Sequence, residues 1–197
     1  MQTEIEAKWL NIDISLMRQK LIGIGARLIA KERLMTRKVY DYPDNRLEKI
    51  GGWIRVRDEV NKITMSYKQL NDRTINGTKE VTVIVDNFDT TCSFLDSIGM
   101  KAKSLQETKR ESWKLGNTEI ELDTWPWIPS FIEIEARNEE DLKNVARLLD
   151  LDYYKALHGS VETAYQAEYD VSEEEIDSWK EIRFVEVPQW LSIKKKS

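Results

Sequence analysis

Four short stretches of this 197-residue chain pair like charges two residues apart: Glu4-Ile5-Glu6, Arg55-Val56-Arg57, Glu119-Ile120-Glu121 and Glu133-Ile134-Glu135. On an extended strand alternate side chains point to opposite faces, so each pair shares one face and its isoleucine or valine takes the other. Two adjacent carboxylates repel unless a cation lies between them, and two guanidiniums repel unless an anion lies over them. Carboxylate oxygens are hard ligands suited to Mg2+ or Mn2+, and Mg2+ is commonly held by a few carboxylates together with substrate phosphates. Arg and Lys neutralise phosphate oxygens during phosphoryl transfer. Acid pairs and base pairs on separate strands therefore suit an anionic substrate bridged by metal. The plain alternative is a solvated sheet face, where Glu, Lys and Arg commonly alternate with apolar residues.

The elements that must position these residues carry the same alternation. In residues 3–9, Glu4, Glu6 and Lys8 oppose Ile5, Ala7 and Trp9. Thr64, Ser66 and Lys68 oppose Ile63, Met65 and Tyr67, while Glu80 and Thr82 oppose Val81, Val83 and Val85. Asp123 continues the face of Glu119 and Glu121. Around these strands the spacing predicts a helix within 11–28, with Asp13 as N-cap and Gly23 and Gly25 closing it. An extended stretch follows over 33–43, then a connection ending in the Gly51-Gly52 turn. Strands over 53–59, 62–70 and 79–86 form a meander. A short helix over 88–100 precedes strands over 107–115, 118–125 and 130–137, the first two joined by a Gly116-Asn117 hairpin. An amphipathic helix covers 138–151, and 159–170 and 172–182 read as helical, the latter opening with a Ser172/Glu175 capping box.

This order is α+β, dominated by an antiparallel sheet whose outer, apolar face the helices would cover. If the charged faces line the inside of a closed barrel, that interior must be wet, because unpaired buried charges are too costly. At 41% hydrophobic and 33% charged, the chain suits one folded domain over 1–197, with a core over 2–170 and a C-terminal helical extension over 171–197. A net charge of −5 argues against a nucleic-acid partner. The single Cys92 and single His158 exclude an internal disulfide and a multi-histidine zinc site, as in a cytoplasmic protein, and no apolar run is long enough to span a membrane. His158 reads as a surface or capping residue, Cys92 as a small part-buried one, and the closing Ile-Lys-Lys-Lys-Ser as a frayed basic tail. Trp125 and Trp127, flanking Pro126, are placed at the lip of the channel, where they could stack on a base.

Over about residues 2–170 the sequence resembles the CYTH superfamily, also called triphosphate tunnel metalloenzymes. The motifs that carry the resemblance run in register: E-x-E-x-K at Glu4, Glu6 and Lys8, then R-x-x-Y-D from Arg37 to Asp41, and R-x-R at Arg55 and Arg57. A strand ending in Lys68 and an acidic strand at Glu80 follow, and Asp123 precedes a variable loop and the E-x-E pair Glu133 and Glu135. The resemblance implies an eight-stranded antiparallel β-barrel, or tunnel, with helices packed around it. It implies metal-site carboxylates at Glu4, Glu6, Glu80, Asp123, Glu133 and Glu135, binding Mg2+ or Mn2+. It implies triphosphate ligands at Lys8, Arg37, Arg55, Arg57, Lys68 and Arg110, among which Lys8, Arg57 and Lys68 would act in catalysis. Two positions depart from the family pattern: Thr108 stands where a Lys is frequent, and Thr82 replaces a second acid. The implied activity is hydrolysis of a small-molecule triphosphate (inorganic, nucleoside or thiamine). The alternatives are a class IV adenylyl cyclase releasing cyclic AMP and pyrophosphate, and a polyphosphate- or nucleotide-binding module without turnover. A homodimer is a further expectation.

Overall fold

A computed structural model describes residues 1–196. The first half comprises β1 (Gln2–Thr3), β2 (Ile5–Trp9), α1 (Ile14–Gly23), β3 (Arg27–Asp41), β4 (Gly52–Asp58), β5 (Ile63–Leu70), β6 (Thr78–Val85) and α2 (Phe88–Ser97). The second comprises β7 (Lys101–Leu115), β8 (Thr118–Thr124), β9 (Phe131–Ala136), α3 (Glu139–Leu148), α4 (Glu162–Glu168), α5 (Glu173–Asp177), β10 (Glu181–Ile182) and α6 (Gln189–Ser192).

Eight main strands, β2 to β9, and the two-residue β1 and β10 make one sheet in the order β1-β6-β5-β4-β3-β7-β8-β9-β2, with β10 added to β7 in parallel and every other pair antiparallel. The path begins on β1 and ends on β2, and Glu4 alone separates these two segments. The Glu4 amide donates to the Thr78 carbonyl at 3.0 Å, so the N-terminal segment leaves β6 and joins β9 within one residue. The free edge of β2 is bridged by Leu157, which exchanges two backbone hydrogen bonds of 2.9 Å with Lys8.

The alternation expected of the strands holds. Ala7, Trp9, Ile120, Leu122, Ile132 and Ile134 point outward into a core with Met17 and Leu21 of α1 and Leu142, Val145 and Ala146 of α3. The helices start where capping chemistry allows: Asp13 accepts from the Leu16 amide and Asn138 from the Asp141 amide. A second cluster sets Cys92 and Leu95 of α2 against Tyr40 and Val56. Gly51, with φ of +70°, turns the chain into β4, and a Cβ there would lie 2.2 Å from the Leu70 carbonyl oxygen.

The C-terminal region departs from expectation. Residues 172–182 are not one helix: α5 ends at Asp177 and the chain becomes β10. The sheet edge explains this. β8 pairs with β7 only from Lys109 onward, so β7 at Leu105–Gln106 offers unpaired backbone groups, which β10 and the Lys180 carbonyl satisfy. Ser172 caps α5, but the Glu175 carboxylate goes to Lys194 instead of completing the box. Lys194–Lys196 are docked rather than frayed, with Lys195 paired to Glu168 at 3.2 Å and the Lys196 amide bonded to the Glu168 carbonyl at 2.9 Å. Ser197 lies outside the described residues.

Candidate active site

The charged faces of the strands surround a cavity of about 770 Å³. Every residue expected in the site lines it: Glu4, Glu6 and Lys8 from β2 and its approach, Arg37 from β3, Arg55 and Arg57 from β4, and Lys68 from β5. Glu80 comes from β6, Arg110 from β7, Asp123 from β8, and Glu133 and Glu135 from β9. Acids come mainly from β2, β8 and β9, whereas β3, β4, β5 and β7 supply bases.

These groups form connected clusters. Lys68 Nζ donates to both Glu4 oxygens at 3.0 and 2.9 Å and lies 3.2 Å from Glu80, which also accepts from Arg55 Nη2 at 3.1 Å. Burial, a proton shared with Glu80 and the nearby Glu6 outweigh Lys68 and push Glu4 up to about 8. Burial would also raise Glu80, but the hydrogen bond from Glu4 together with Lys68 and Arg55 holds it below the ordinary carboxylate range. Across the cavity Arg110 forks onto Asp123, Nε to Oδ1 at 2.7 Å and Nη2 to Oδ2 at 2.5 Å, with Glu133 at 3.4 Å. Burial opposes ionisation of Glu133, yet Lys8, Arg110 and Lys68 prevail and keep its pKa low. Both Asp123 oxygens are thus held by Arg110, so Asp123 positions that guanidinium in this state.

The acid rows carry unbalanced charge. Strand register sets Glu6 opposite Glu135, Glu135 opposite Glu119, and Glu133 opposite Glu121. Like charges directly opposite one another destabilise a sheet. Among the described residues, neither the Glu6 nor the Glu135 carboxylate has a hydrogen bond or ion pair. Burial first, then Glu133, raises Glu6; desolvation inside the cavity, then Glu6 and Glu133, raises Glu135 to about 7. Burial lifts Glu121 to about 7, and its Oε2 is enclosed without a hydrogen-bond partner. Carboxylates facing one another with an orphaned oxygen beside them make a donor set that fits a hard divalent cation. Among the described residues, no three ligating side chains already converge on one point.

On the basic side, burial first, then Arg57, lowers Arg55 to about 10. Arg37 stands apart from the acids: its Nε donates to Gln106 at 2.8 Å and its guanidinium lies 4.1 Å over the Trp125 ring. Burial and the repulsion of Arg55, Arg57 and Arg110 depress its pKa. Of the two tryptophans expected at the lip, Trp125 lines the cavity. One face of the Trp125 ring is covered by Arg37, its edge meets Tyr165, and only 5% of the residue is exposed. Trp127 packs edge-on to Trp179 and donates to the Val185 carbonyl at 3.0 Å. The Trp125 ring offers no free platform for a base, and Trp127, partly buried, packs against the C-terminal segment.

The structure adds residues that the charged pairs did not reveal. Glu59, buried at 3% exposure, accepts from Arg57 at 3.0 and 2.6 Å and lies 3.7 Å from Arg33 and 3.6 Å from Lys62. Burial opposes its ionisation, but Arg57 overrides it and its pKa falls. Glu59 continues the parity of Arg55 and Arg57, a signal readable in the sequence. Arg33 lines the cavity too, on the parity of Arg37, and the register is unbroken from Arg33 to Val39. Glu162 of α4 also faces the cavity, raised to about 7 by burial and then Asp177. His158 is part-buried, and its Nδ1 hydrogen-bonds the Glu6 carbonyl at 3.0 Å.

An antiparallel sheet with one apolar, helix-covered face and one face of opposed acids and bases around a cavity defines a class of charge-lined α+β proteins. Within that class the chain belongs to the CYTH domain family, whose sequence profile matches residues 2–165. No curated protein matches. Among solved structures, a proposed adenylate cyclase from Vibrio parahaemolyticus superposes with a TM-score of 0.70 at 16% identity, over 84% of this chain and 98% of that one. PH1012 from Pyrococcus horikoshii gives 0.64 at 23% identity, over 78% and 93%. A proposed adenylyl cyclase from Hippeastrum with a dominant triphosphatase activity gives 0.59 at 15% identity, over 83% and 95%. At these identities the likeness is one of fold. No helix among the described residues is long and apolar enough to cross a membrane.

Proposed function

We propose that the sheet closes through Glu4 into a tunnel and that the protein is a divalent-metal-dependent enzyme hydrolysing a triphosphate held inside it. The observation that carries this reading is the division of one cavity wall into an acid side, with Glu6 and Glu135 unpaired and face to face, and a basic side bearing Arg55, Arg57, Lys68 and Arg110. Its membership of the CYTH family and the triphosphatase activity of the Hippeastrum protein lend support.

Glu4, Glu6, Glu133 and Glu135, with Glu80 and Asp123 beside them, would hold Mg2+ or Mn2+, which supplies Lewis-acid polarisation of phosphate oxygens. The chain's own groups do the rest. Lys8, Arg55, Arg57 and Arg110 bind and orient the phosphates, Arg37 holds the wall against Trp125, and Arg57 and Lys68 stabilise charge as it develops on the transferred phosphoryl group. Water attacks the terminal phosphorus and the remaining diphosphate leaves. The test is incubation with tripolyphosphate, ATP and thiamine triphosphate in Mg2+ or Mn2+, resolving orthophosphate, pyrophosphate and cyclic AMP. Orthophosphate from any of them supports hydrolysis. Cyclic AMP with pyrophosphate replaces it by cyclisation, and no product leaves a binding module.

A further inference from the structure

The segment that bridges the free edge of β2 does more than close a gap. Lys8 is buried, only 2% exposed, and its Nζ donates to the Gly159 carbonyl while lying 3.8 Å from Glu133. The same short run holds the strand elsewhere: Leu157 exchanges two backbone hydrogen bonds with Lys8, and His158 Nδ1 bonds the Glu6 carbonyl. Three consecutive residues thus clamp the part of β2 that carries Glu6 and Lys8. The direction of the Gly159 carbonyl depends on a backbone φ of +91°, which a residue with a Cβ adopts only under strain. Space is not the constraint, because an added Cβ would meet Arg73 Cγ at 3.5 Å and Leu70 Cδ2 at 3.7 Å, ordinary contact distances.

We propose that Gly159 is a positioning residue: its left-handed backbone aims a carbonyl that fixes the Lys8 ammonium at the cavity wall, ready for a phosphate oxygen. A flexible lysine held at one point loses less freedom on binding its anion, so the anchor tightens substrate binding. The kinetic part rests on the proposed function, because Lys8 meets a phosphate only in that reading; the geometric part does not.

The test compares the full chain with Gly159→Ala and Gly159→Asn, since Asn tolerates the left-handed region better than Ala. In the first arm, Lys8 acetylation by a water-soluble reagent is followed by mass spectrometry without substrate or metal. Wild type should protect Lys8, Gly159→Ala should react about tenfold faster, the scale of one lost charge-assisted hydrogen bond, and Gly159→Asn should restore protection. In the second arm, tripolyphosphate turnover is measured with Mg2+. Gly159→Ala should raise KM about tenfold with kcat nearly kept, and Gly159→Asn should bring KM back. A merely structural role would lower the active fraction, and so kcat, without moving KM. Unchanged Lys8 labelling, or unchanged KM against an active wild type, overturns the proposal; so does equal loss in both variants. A wild type that protects Lys8 as described yet turns over no triphosphate refutes the function and leaves the positioning role standing.

Discussion

Replacing Asp123 by Asn tests how the cavity balances its charge. Asp123 is 1% exposed and both its oxygens are taken by Arg110. Removing one partner of a buried ion pair costs about 3–5 kcal/mol, because the other charge is left without compensation. Here Glu133 at 3.4 Å and Glu121 at 4.0 Å still face Arg110, so the lower end applies, about 3 kcal/mol. For a chain of this length each kcal/mol moves the thermal midpoint by about 2–4 °C, so Asp123→Asn should melt about 6–12 °C below wild type. Urea unfolding of wild type, Asp123→Asn, Arg110→Met and the double variant closes the cycle. The double variant should be more stable than the two single losses sum to, by at least about 1.5 kcal/mol. A single-variant cost below about 0.5 kcal/mol, or strict additivity, would refute the argument that Asp123 serves Arg110.

Glu135→Gln should stabilise the metal-free protein, by removing repulsion from Glu6, while weakening Mg2+ or Mn2+ binding; calorimetric titration beside thermal unfolding reads both signs. The stability of the metal-free protein should fall as pH rises from about 5 to 8. Glu4 is raised to about 8 and Glu121, Glu135 and Glu162 to about 7, so over this window the folded state holds protons that the unfolded chain has released. The cost begins near the ordinary value of 4.5 and is complete above about 8; a midpoint that rises over this range contradicts the burial of these groups. Trp179→Ala should cost about 3–5 kcal/mol, because its buried ring packs against Tyr165, Trp127 and Trp190. A loss under about 1 kcal/mol by urea unfolding would mean the C-terminal segment is not part of the core.

Strand alternation made most of this wall legible. Where a strand runs unbroken, as in β2, β4, β8 and β9, the parity of Glu4, Arg55, Glu121 or Glu133 gave the correct face. Arg33 and Glu59 carry the parity of Arg37 and Arg57 and were reachable by it, although neither belongs to a like-charge pair. Glu162, by contrast, comes from α4, where strand parity says nothing. The β10 segment looked helical because its local composition favours a helix, yet the unpaired edge of β7 is a stronger demand. Trp125 does line the cavity, but the loop reads as an open lip, and only the tertiary fold brings Tyr165, Tyr169 and Trp179 against Trp125 and Trp127. The contact of Gly159 with Lys8 spans 151 residues, and nothing in either local sequence announces it.

The central claim is that Glu6 and its facing acids hold a cation that serves a triphosphate on the basic wall. Orthophosphate release from tripolyphosphate by wild type and Glu6→Gln, with Mg2+, with Mn2+ and with chelator, tests it most directly. Loss of even an outer partner of a metal ligand lowers activity by about 10–100-fold, so loss of Glu6 should exceed that. The account predicts release by wild type only with metal, and Glu6→Gln slower by at least about 100-fold. Full activity of Glu6→Gln, or metal-independent release by wild type, would contradict it.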